Sequence, residues 1–239
     1  MAGILFTISL LVFLFSGCNK TQVEYAKPDE QVATGQRAKN SSAMKEAIPI
    51  HLAIGSFDPL SHTGSPSLPH ELTLKRYPED KPGYYIVQFK GPVLKQWKEA
   101  IAATGATILD YIPQFAFLVR MNHQTHKAVQ AIQSVRWVGI YQPGYRISPD
   151  LTKKLAEKRG QLIELTVSIF DGEDVSSLKS KIGTLGGDII EISPGGGKIR
   201  LAISTNEIAE LVCLSGVKYV ERVPEFKLSP TNIRRKTEE

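Results

Sequence analysis

The sequence predicts an α+β protein in which a unit of β-α-β-β-α-β order occurs twice. Two observations predict this class. Similar residues recur after about 81 positions, and each copy shows the same succession of strand and helix periodicities. The clearest recurrence sets Val135–Pro149, VRWVGIYQPGYRISP, against Val217–Pro230, VKYVERVPEFKLSP. A chain of 239 residues is long enough for two small domains of this kind.

The first half of the repeat aligns without a gap. Pairs that lie 81 residues apart include Phe89 with Phe170, Trp97 with Leu178, Ile101 with Ile182, Gly105 with Gly186, and Pro113 with Pro194. Further along, from Phe117 with Ile199 to Val135 with Val217, the offset is 82. These pairs indicate an internal duplication.

The first strand and the first helix of each copy are predicted from hydrophobic spacing. Alternating apolar residues in YYIVQF, from Tyr84, and in ELTVSIF, from Glu164, predict strands. Apolar residues then fall at i, i+3 and i+7, which predicts a helix with one apolar face; they are Leu94, Trp97 and Ile101 in the first copy and Val175, Leu178 and Ile182 in the second.

The remaining elements complete the unit. ATILDYIP and GDIIEISP predict second strands that end at Pro, and FAFLVRM and KIRLAI predict third strands. NHQTHKAVQ and STNEIAELV have polar starts that are typical of capped short helices, and the two recurring stretches supply the fourth strands. This is the order of a ferredoxin-like plait, four antiparallel strands with two helices on one face.

The rest of the chain divides by composition. A polar segment without periodicity is typical of a flexible tether, and a Pro- and Ser-containing segment indicates an arm packed on the repeated units. The predicted organisation is a signal peptide at 1–17, a tether at 18–47, an N-terminal arm at 48–82, plaits at 83–150 and 160–230, and a charged tail at 231–239.

The amino terminus carries a targeting signal. Ile4–Phe15 is an uncharged apolar run that is too short to span a bilayer but fits the core of a signal peptide. The adjoining SGCNK resembles the lipobox of bacterial lipoproteins, which implies lipidation of Cys18 and an exported protein anchored in the cell envelope. An ordinary secretory signal and an uncleaved anchor are the alternatives.

Charge and cysteine content narrow the range of partners. The net charge is +5, but the basic residues are scattered and are not interleaved with aromatic residues, so no nucleic-acid partner is predicted. The second cysteine, Cys213, has no partner for an internal disulfide if Cys18 is lipidated. Its place in the apolar run IAELVCL predicts a small buried side chain.

No catalytic constellation is evident in the sequence. His123 and His126 form an H-x-x-H without a third ligand, and SPGGGK from Ser193 lacks the spacing of a phosphate loop. Asp110 and Glu191 occupy equivalent places in the two copies, which favours a structural role over an acid-base pair. The sequence therefore predicts no enzyme, no catalytic residue, no metal and no cofactor.

The free face of a plait is a candidate binding surface. Strands alternate sides, so the face without helices must be covered or solvated. Leu165, Val167 and Ile169 share one side of their strand. Tyr85, Val87 and Phe89 share one side of the corresponding strand in the first copy. If the second set faces away from its own helices, it forms a docking face.

A family resemblance gives this face a candidate partner. FDPL, GYYIVQFKGPVLKQWKEAI, YIPQFAFLVRM and VRWVGIYQPGYRISPDL resemble the paired propeptide domains that precede the catalytic domain in secreted subtilisin-like serine proteases of the fervidolysin type. The resemblance runs from about Ile48 to Pro230. It implies a foldase-inhibitor whose open sheet face packs on the protease and whose next segment occupies the substrate cleft, here Lys227, Leu228, Ser229, Pro230, Thr231 and Asn232.

The chain departs from that family in one respect. The protease blocks D-[ST]-G, H-G-T and G-T-S-M-A do not occur in it, so the resemblance concerns the pro-region alone. The sequence favours a lipid-tethered inhibitor or folding assistant of a subtilisin-like serine protease. A non-catalytic envelope binding or scaffold module, and a truncated remnant of a protease precursor, are the alternatives.

Overall fold

A computed structural model describes residues 47–152 and 160–223. The elements up to residue 140 are, in chain order, strands β1 (Ile50–Leu52), β2 (Gly55–Phe57) and β3 (Gly83–Phe89), helix α1 (Lys95–Ala103), strands β4 (Thr107–Ile112) and β5 (Ala116–Met121), helix α2 (His123–Gln130) and strand β6 (Val135–Ile140).

The second set of elements repeats the order found from β3 to β6. It consists of strand β7 (Leu162–Ile169), helix α3 (Val175–Thr184), strands β8 (Asp188–Ile192) and β9 (Lys198–Ser204), helix α4 (Ile208–Cys213) and strand β10 (Val217–Arg222). Short 3-10 helices occur at His70–Leu72, Pro143–Arg146 and Thr205–Glu207.

The larger strands form two four-stranded sheets. The first sheet has the order β4-β5-β3-β6 and the second the order β8-β9-β7-β10, and the pairing within each sheet is antiparallel. The first strand of each set is therefore central and its second and fourth strands are at the edges. β1 and β2 form a separate hairpin. The predicted α+β class with antiparallel sheets is confirmed.

Local sequence explains where the helices begin and end. The side chain of Asn122 accepts a hydrogen bond from the backbone N–H of Thr125 at the start of α2, and Asp174 accepts one from Ser176 at the start of α3, both at 2.9 Å. After α1 and α3 the chain turns at Gly105 and Gly186, with φ of 87° and 74°. Glycine adopts this left-handed conformation at little cost and so ends the helix.

The first strands of the two sets, β3 and β7, have equivalent residues 80 positions apart in the chain, whereas the sequence predicted 81. The N–H of Phe89 donates to the carbonyl of Phe115, and the N–H of Ile169 makes the matching bond to Gly197, both at 2.9 Å. Ile169 therefore occupies the place of Phe89. Phe170, predicted as its equivalent, occupies the place of Lys90.

The burial of β7 corrects the predicted docking face. Leu165, Val167 and Ile169 are at most 4% exposed and lie in one core cluster with residues of helices α3 and α4, including Leu178 and Leu211. Successive strand residues point to opposite faces, so these three residues share one side of β7. The three side chains face their own helices and are not available to a partner.

The two sheets belong to one packed body. The second core includes Leu72, Ile147 and Leu151 from the first part of the chain. Ile147 forms a parallel bridge with Val220 of β10, and the N–H of Ser148 donates to the carbonyl of Val220 at 2.9 Å. The edge of β10 is thus partly covered by the connection that leads out of the first sheet.

Some of the predicted features lie outside the described residues. They are Cys18, the cleft segment Lys227–Asn232, the signal at 1–17 and the tail at 231–239. Among the helices that are described, none combines the length and the apolar character that crossing a bilayer requires.

Candidate binding face

The faces of the two sheets that lie away from the helices, called the outer faces here, differ in burial. On β3 the outer row consists of Tyr84, Ile86 and Gln88, which are at most 1% exposed. They are covered by the arm, because Ile50 and Phe57 pack in the same cluster as Tyr84 and Ile86. The first outer face is therefore closed.

The outer face of the second sheet is accessible. Its row on β7 consists of Glu164, Thr166 and Ser168, and none of the three is buried. The neighbouring β9 contributes Arg200, opposite Thr166, and Lys198, opposite Ser168. The same architecture therefore carries a closed apolar face in one sheet and an accessible polar face in the other.

An ion pair crosses the accessible face. Arg200 donates from Nη2 to Oε2 of Glu164 at 2.6 Å, and both side chains are more than 40% exposed. Exposed ion pairs of this kind contribute little to stability, about 0–1 kcal/mol. The pair therefore places one positive and one negative charge on the outer face but contributes little to the stability of the sheet.

Large apolar side chains are exposed at this sheet as well. Leu162, at the start of β7, is 74% exposed and lies opposite Ser204. Ile190, at the irregularity in edge strand β8, is 47% exposed. Single exposed apolar residues are ordinary on protein surfaces, but beside a polar row they supply contacts of the kind that protein interfaces use.

The arm that closes the first outer face is held by a buried polar network. Arg136 donates from Nη2 to both carboxylate oxygens of Asp58, at 2.8 and 2.9 Å, and from Nη1 to Oε1 of Gln88 at 2.6 Å. Gln88 in turn donates to the carbonyl of Ile48 at 2.9 Å. The arm, β3 and β6 are thereby joined through one guanidinium.

The environment of Asp58 favours its ionised form. Burial alone would raise the pKa of this carboxyl, but hydrogen bonds from the backbone N–H groups of Leu60 and Ile48, together with the Arg136 guanidinium, lower the pKa below its ordinary value. The folded state therefore binds fewer protons here than the unfolded chain does.

The network predicts a pH dependence of stability. Because the pKa of Asp58 is lowered on folding, its contribution is fully present above the ordinary carboxyl pKa of about 4 and is lost as the pH falls through the folded-state value. Protonated Asp58 resembles Asn. The difference in unfolding free energy between the native chain and Asp58→Asn should therefore shrink as the pH falls below about 4. Urea unfolding over this range measures it; a constant difference would contradict the prediction.

A second buried guanidinium joins the arm and the two sheets. Arg146, which is 1% exposed, donates from Nη1 to the carbonyls of Val212 and Val217 at 3.4 and 3.1 Å. From Nη2 it donates to the hydroxyl of Tyr77 at 2.8 Å and to the carbonyl of Tyr141 at 3.0 Å. No carboxylate among the described residues forms an ion pair with it.

Aromatic contacts surround this joint. The rings of Tyr84 and Phe170 are stacked, with centroids 3.4 Å apart, and the Arg146 guanidinium lies 5.5 Å from the Tyr141 ring centroid. The Tyr84 hydroxyl donates to Glu173, and burial followed by this carboxylate raises the pKa of Tyr84. Phe170, which the sequence paired with Phe89, thus packs between the two halves.

The remaining titratable candidates of the sequence are His123, His126 and Cys213. His126 lies against the ring of Tyr85 at 4.8 Å, and burial, followed by the charge of His123, lowers its pKa. Across residues 47–152 and 160–223, no three His, Cys, Asp or Glu side chains are grouped as metal ligands would be. Cys213 is exposed rather than buried as predicted, and partial burial raises the pKa of its thiol, which disfavours the thiolate.

Sequence reasoning did not identify the two arginine sites. Asp58 and Arg136 are 78 positions apart, and Arg146 contacts residues up to 71 positions away. No short motif joins such residues. The one available signal was FDPL, which contains Asp58 and belongs to the phrases that resemble a propeptide.

Comparison with known proteins matches part of the chain to a family. Residues 51–142 match a family described as a domain of unknown function (DUF8729). This range begins within β1 and ends just after Tyr141, and so treats the arm and the first sheet as a unit. It is less than half of the chain. None of the curated proteins compared matches the chain.

Two solved structures show distant similarity. The small subunit of acetolactate synthase from Thermotoga maritima is 15% identical and covers 59% of this chain and 92% of its own, with a TM-score of 0.21. A bacterial light-regulated adenylyl cyclase is 10% identical and covers 56% of this chain and 63% of its own, with a TM-score of 0.16. At these TM-scores neither similarity carries a functional argument.

Proposed function

We propose that the chain is a non-catalytic, exported binding protein of the subtilase-propeptide kind. It docks on a subtilisin-like serine protease and inhibits it or assists its folding. The observation that carries the proposal is the accessible outer face of the second sheet, whose β7 row is not buried although the matching row of β3 is closed. A free sheet face is the surface that such propeptides use, as the family resemblance implies.

In this proposal the two halves are tandem ferredoxin-like plaits produced by duplication. The shared strand order, the two glycines that end α1 and α3, and the matching hydrogen bonds of Phe89 and Ile169 support it. The first plait, closed by the arm, serves as a rigid support. The second plait presents the contact surface.

The two termini have roles of their own in this proposal. The segment Lys227–Asn232 comes after β10 and enters the protease cleft as an extended strand, paired through its backbone. Cys18 carries the lipid that anchors the protein in the envelope. Both segments lie outside the described residues, and we expect each role to be testable separately from folding.

One observation favours a second candidate, a scaffold module that binds another exported protein through the same face. The β7 row is polar, and the pair Glu164–Arg200 is charged. A polar row also suits a wet, reversible contact. In that case inhibition of a protease is absent, while substitutions on the outer face still disturb binding.

The test is inhibition of an active subtilisin-type protease by the full chain in a non-ionic detergent. Hydrolysis of a peptide substrate and survival of the chain are followed together. Arg200→Glu reverses a charge on the outer face, whereas Lys179→Glu makes the same change at an exposed position of α3, in the helix layer. We expect Arg200→Glu to weaken inhibition at least about tenfold and Lys179→Glu to leave it unchanged.

Further outcomes separate the two candidate functions. Deletion of Ser229–Glu239 should weaken inhibition while urea unfolding of the chain stays the same. Equal inhibition by the two charge reversals would remove the outer face from the mechanism. Rapid digestion without inhibition would contradict the proposed function and favour the scaffold.

A further inference from the structure

We infer that the cleft between the arm and the second sheet's helices is a binding site for a small organic anion. The cleft is a cavity of about 340 Å³. It is lined by the arm, with Tyr77 and Lys81, by Arg146 in the segment after β6, and by Lys181 and Ser215 of the second half. Its size is at the lower end of the range of about 300–1,000 Å³ for small-molecule sites.

The charge of the lining is entirely positive. Lys81 lies on the arm, Lys181 lies on α3 and Arg146 is buried in the segment after β6, whereas no Asp or Glu contributes to the lining. Among the described residues, neither lysine has a carboxylate within ion-pair distance. Three cations from separate parts of the chain therefore surround one cavity and are not neutralised by acidic residues in its wall.

The buried guanidinium makes this arrangement unusual. Arg146 donates four hydrogen bonds to neutral acceptors, namely three carbonyls and the Tyr77 hydroxyl. Its Nε is buried without a hydrogen-bond partner. Burying a charge without an opposite charge is costly. An anion in the adjoining cavity would offset that cost through the low-dielectric interior.

Hydroxyl donors are also available. The Tyr77 oxygen accepts from Arg146, and its own proton has no acceptor among the described residues. Donation from a cation makes a hydroxyl a better donor in turn, because hydrogen bonds in a chain polarise one another. Ser215 supplies a second hydroxyl in the lining.

The walls of the cavity are preformed. The side chain of Gln142 fixes the arm through two hydrogen bonds with the backbone of Leu74. Its Oε1 accepts from the Leu74 N–H at 2.7 Å, and its Nε2 donates to the Leu74 carbonyl at 3.1 Å. The Tyr77 ring lies over Gly83, where an added Cβ would come within 2.1 Å of it. Little ordering would accompany binding, which favours a small ligand.

The apolar part of the lining defines the ligand further. Besides the charged groups, the wall contains the apolar side chains of Leu74, Leu214, Pro78, Pro82 and Pro143. A bare inorganic anion would leave this surface empty. The ligand class is therefore a carboxylate or phosphate monoester with a compact apolar body.

The test is titration calorimetry of the full chain in a non-ionic detergent with phenyl phosphate and with benzoate. Inorganic phosphate serves as the probe without an apolar body. We expect saturable binding of at least one organic probe with a Kd of about 1 mM or tighter. The double variant Lys81→Ala/Lys181→Ala should weaken it at least about tenfold, because two of the three charges are lost.

Lys179→Ala is the matched control, since Lys179 is exposed on α3 but does not line the cavity. It should leave the Kd unchanged. Absence of saturable binding by both organic probes, or equal binding by the double variant, would overturn the site. Binding of inorganic phosphate as tight as that of phenyl phosphate would overturn the assignment to an organic anion. The result is independent of protease inhibition.

Discussion

Replacing Arg136 with methionine is expected to lower the free energy of unfolding by about 3–5 kcal/mol. The substitution leaves the Asp58 carboxylate, whose side chain is 8% exposed, without the guanidinium that now binds both of its oxygens. It also deprives Gln88 of the donor to its side-chain carbonyl. Leaving a buried charge unpaired lowers the free energy of unfolding far more than breaking an exposed ion pair does.

Arg200→Met provides the matched control. It removes an arginine from an ion pair of similar length, but both side chains of that pair are more than 40% exposed. The expected loss is within about 1 kcal/mol. Urea unfolding of both variants, read as a shift of the midpoint at unchanged slope, measures the difference. Equal losses would mean that burial does not set the strength of the Asp58–Arg136 pair.

The loss from Arg136→Met should fall mainly on the arm. Asp58 and Ile48 belong to the arm, whereas Arg136 lies on β6. If the arm detaches, Tyr84 and Ile86 on the first outer face become exposed to water. Hydrogen exchange should then show faster exchange in β1 and β2 than in β7, where the core depends on different residues.

The sequence was sufficient to predict the elements of the two four-stranded sheets and their order, because both depend on local spacing. Alternation defined β3 and β7, and an i, i+3, i+7 pattern defined α1 and α3. The glycines at 105 and 186, which the sequence paired in the repeat, lie just after these helices. Each of these signals lies within a few residues of the element that it predicts, so no knowledge of tertiary contacts was needed.

The face of β7 could not be predicted in the same way. The likeness of Phe170 to Phe89 favoured an offset of 81, but Phe170 stacks on Tyr84 between the halves and Ile169 fills the core position. The prediction left open which side of β7 faces the helices, because a period of two defines two rows without orienting them. Alternation separates the two rows of β7, but only packing against α3 and α4 shows that the row of Leu165, Val167 and Ile169 is the inner one.

The buried polar contacts of Asp58, Arg136 and Arg146 could not be predicted from the sequence for a different reason. Asp58, Arg136 and Arg146 carry side chains of types that statistics place on the surface. Their burial depends on partners that are distant in the chain, such as Tyr77 and Val217 for Arg146. Composition and periodicity report average environments, so they miss a buried charge whose contacts come from distant parts of the chain.

The joint between the halves gives the second large effect. Arg146→Met is expected to destabilise the chain by about 3 kcal/mol, because the carbonyls of Tyr141, Val212 and Val217 lose their side-chain donor at a cost of about 1–3 kcal/mol each. The gain from no longer burying a charge offsets part of that loss. The Met side chain fills a similar volume, so the result reports on the hydrogen bonds rather than on a cavity.

Arg146→Lys distinguishes charge from geometry. Lysine keeps the cation but has one nitrogen, which cannot serve Tyr77 and Tyr141 on one side and Val212 and Val217 on the other. In urea unfolding, Arg146→Lys should therefore be at least as destabilising as Arg146→Met. The lysine variant keeps the buried charge but loses some of the hydrogen bonds that the two terminal nitrogens of arginine donate. Native stability of Arg146→Lys would mean that the charge alone holds the arm and the two sheets together, and that the planar arrangement of donors is dispensable.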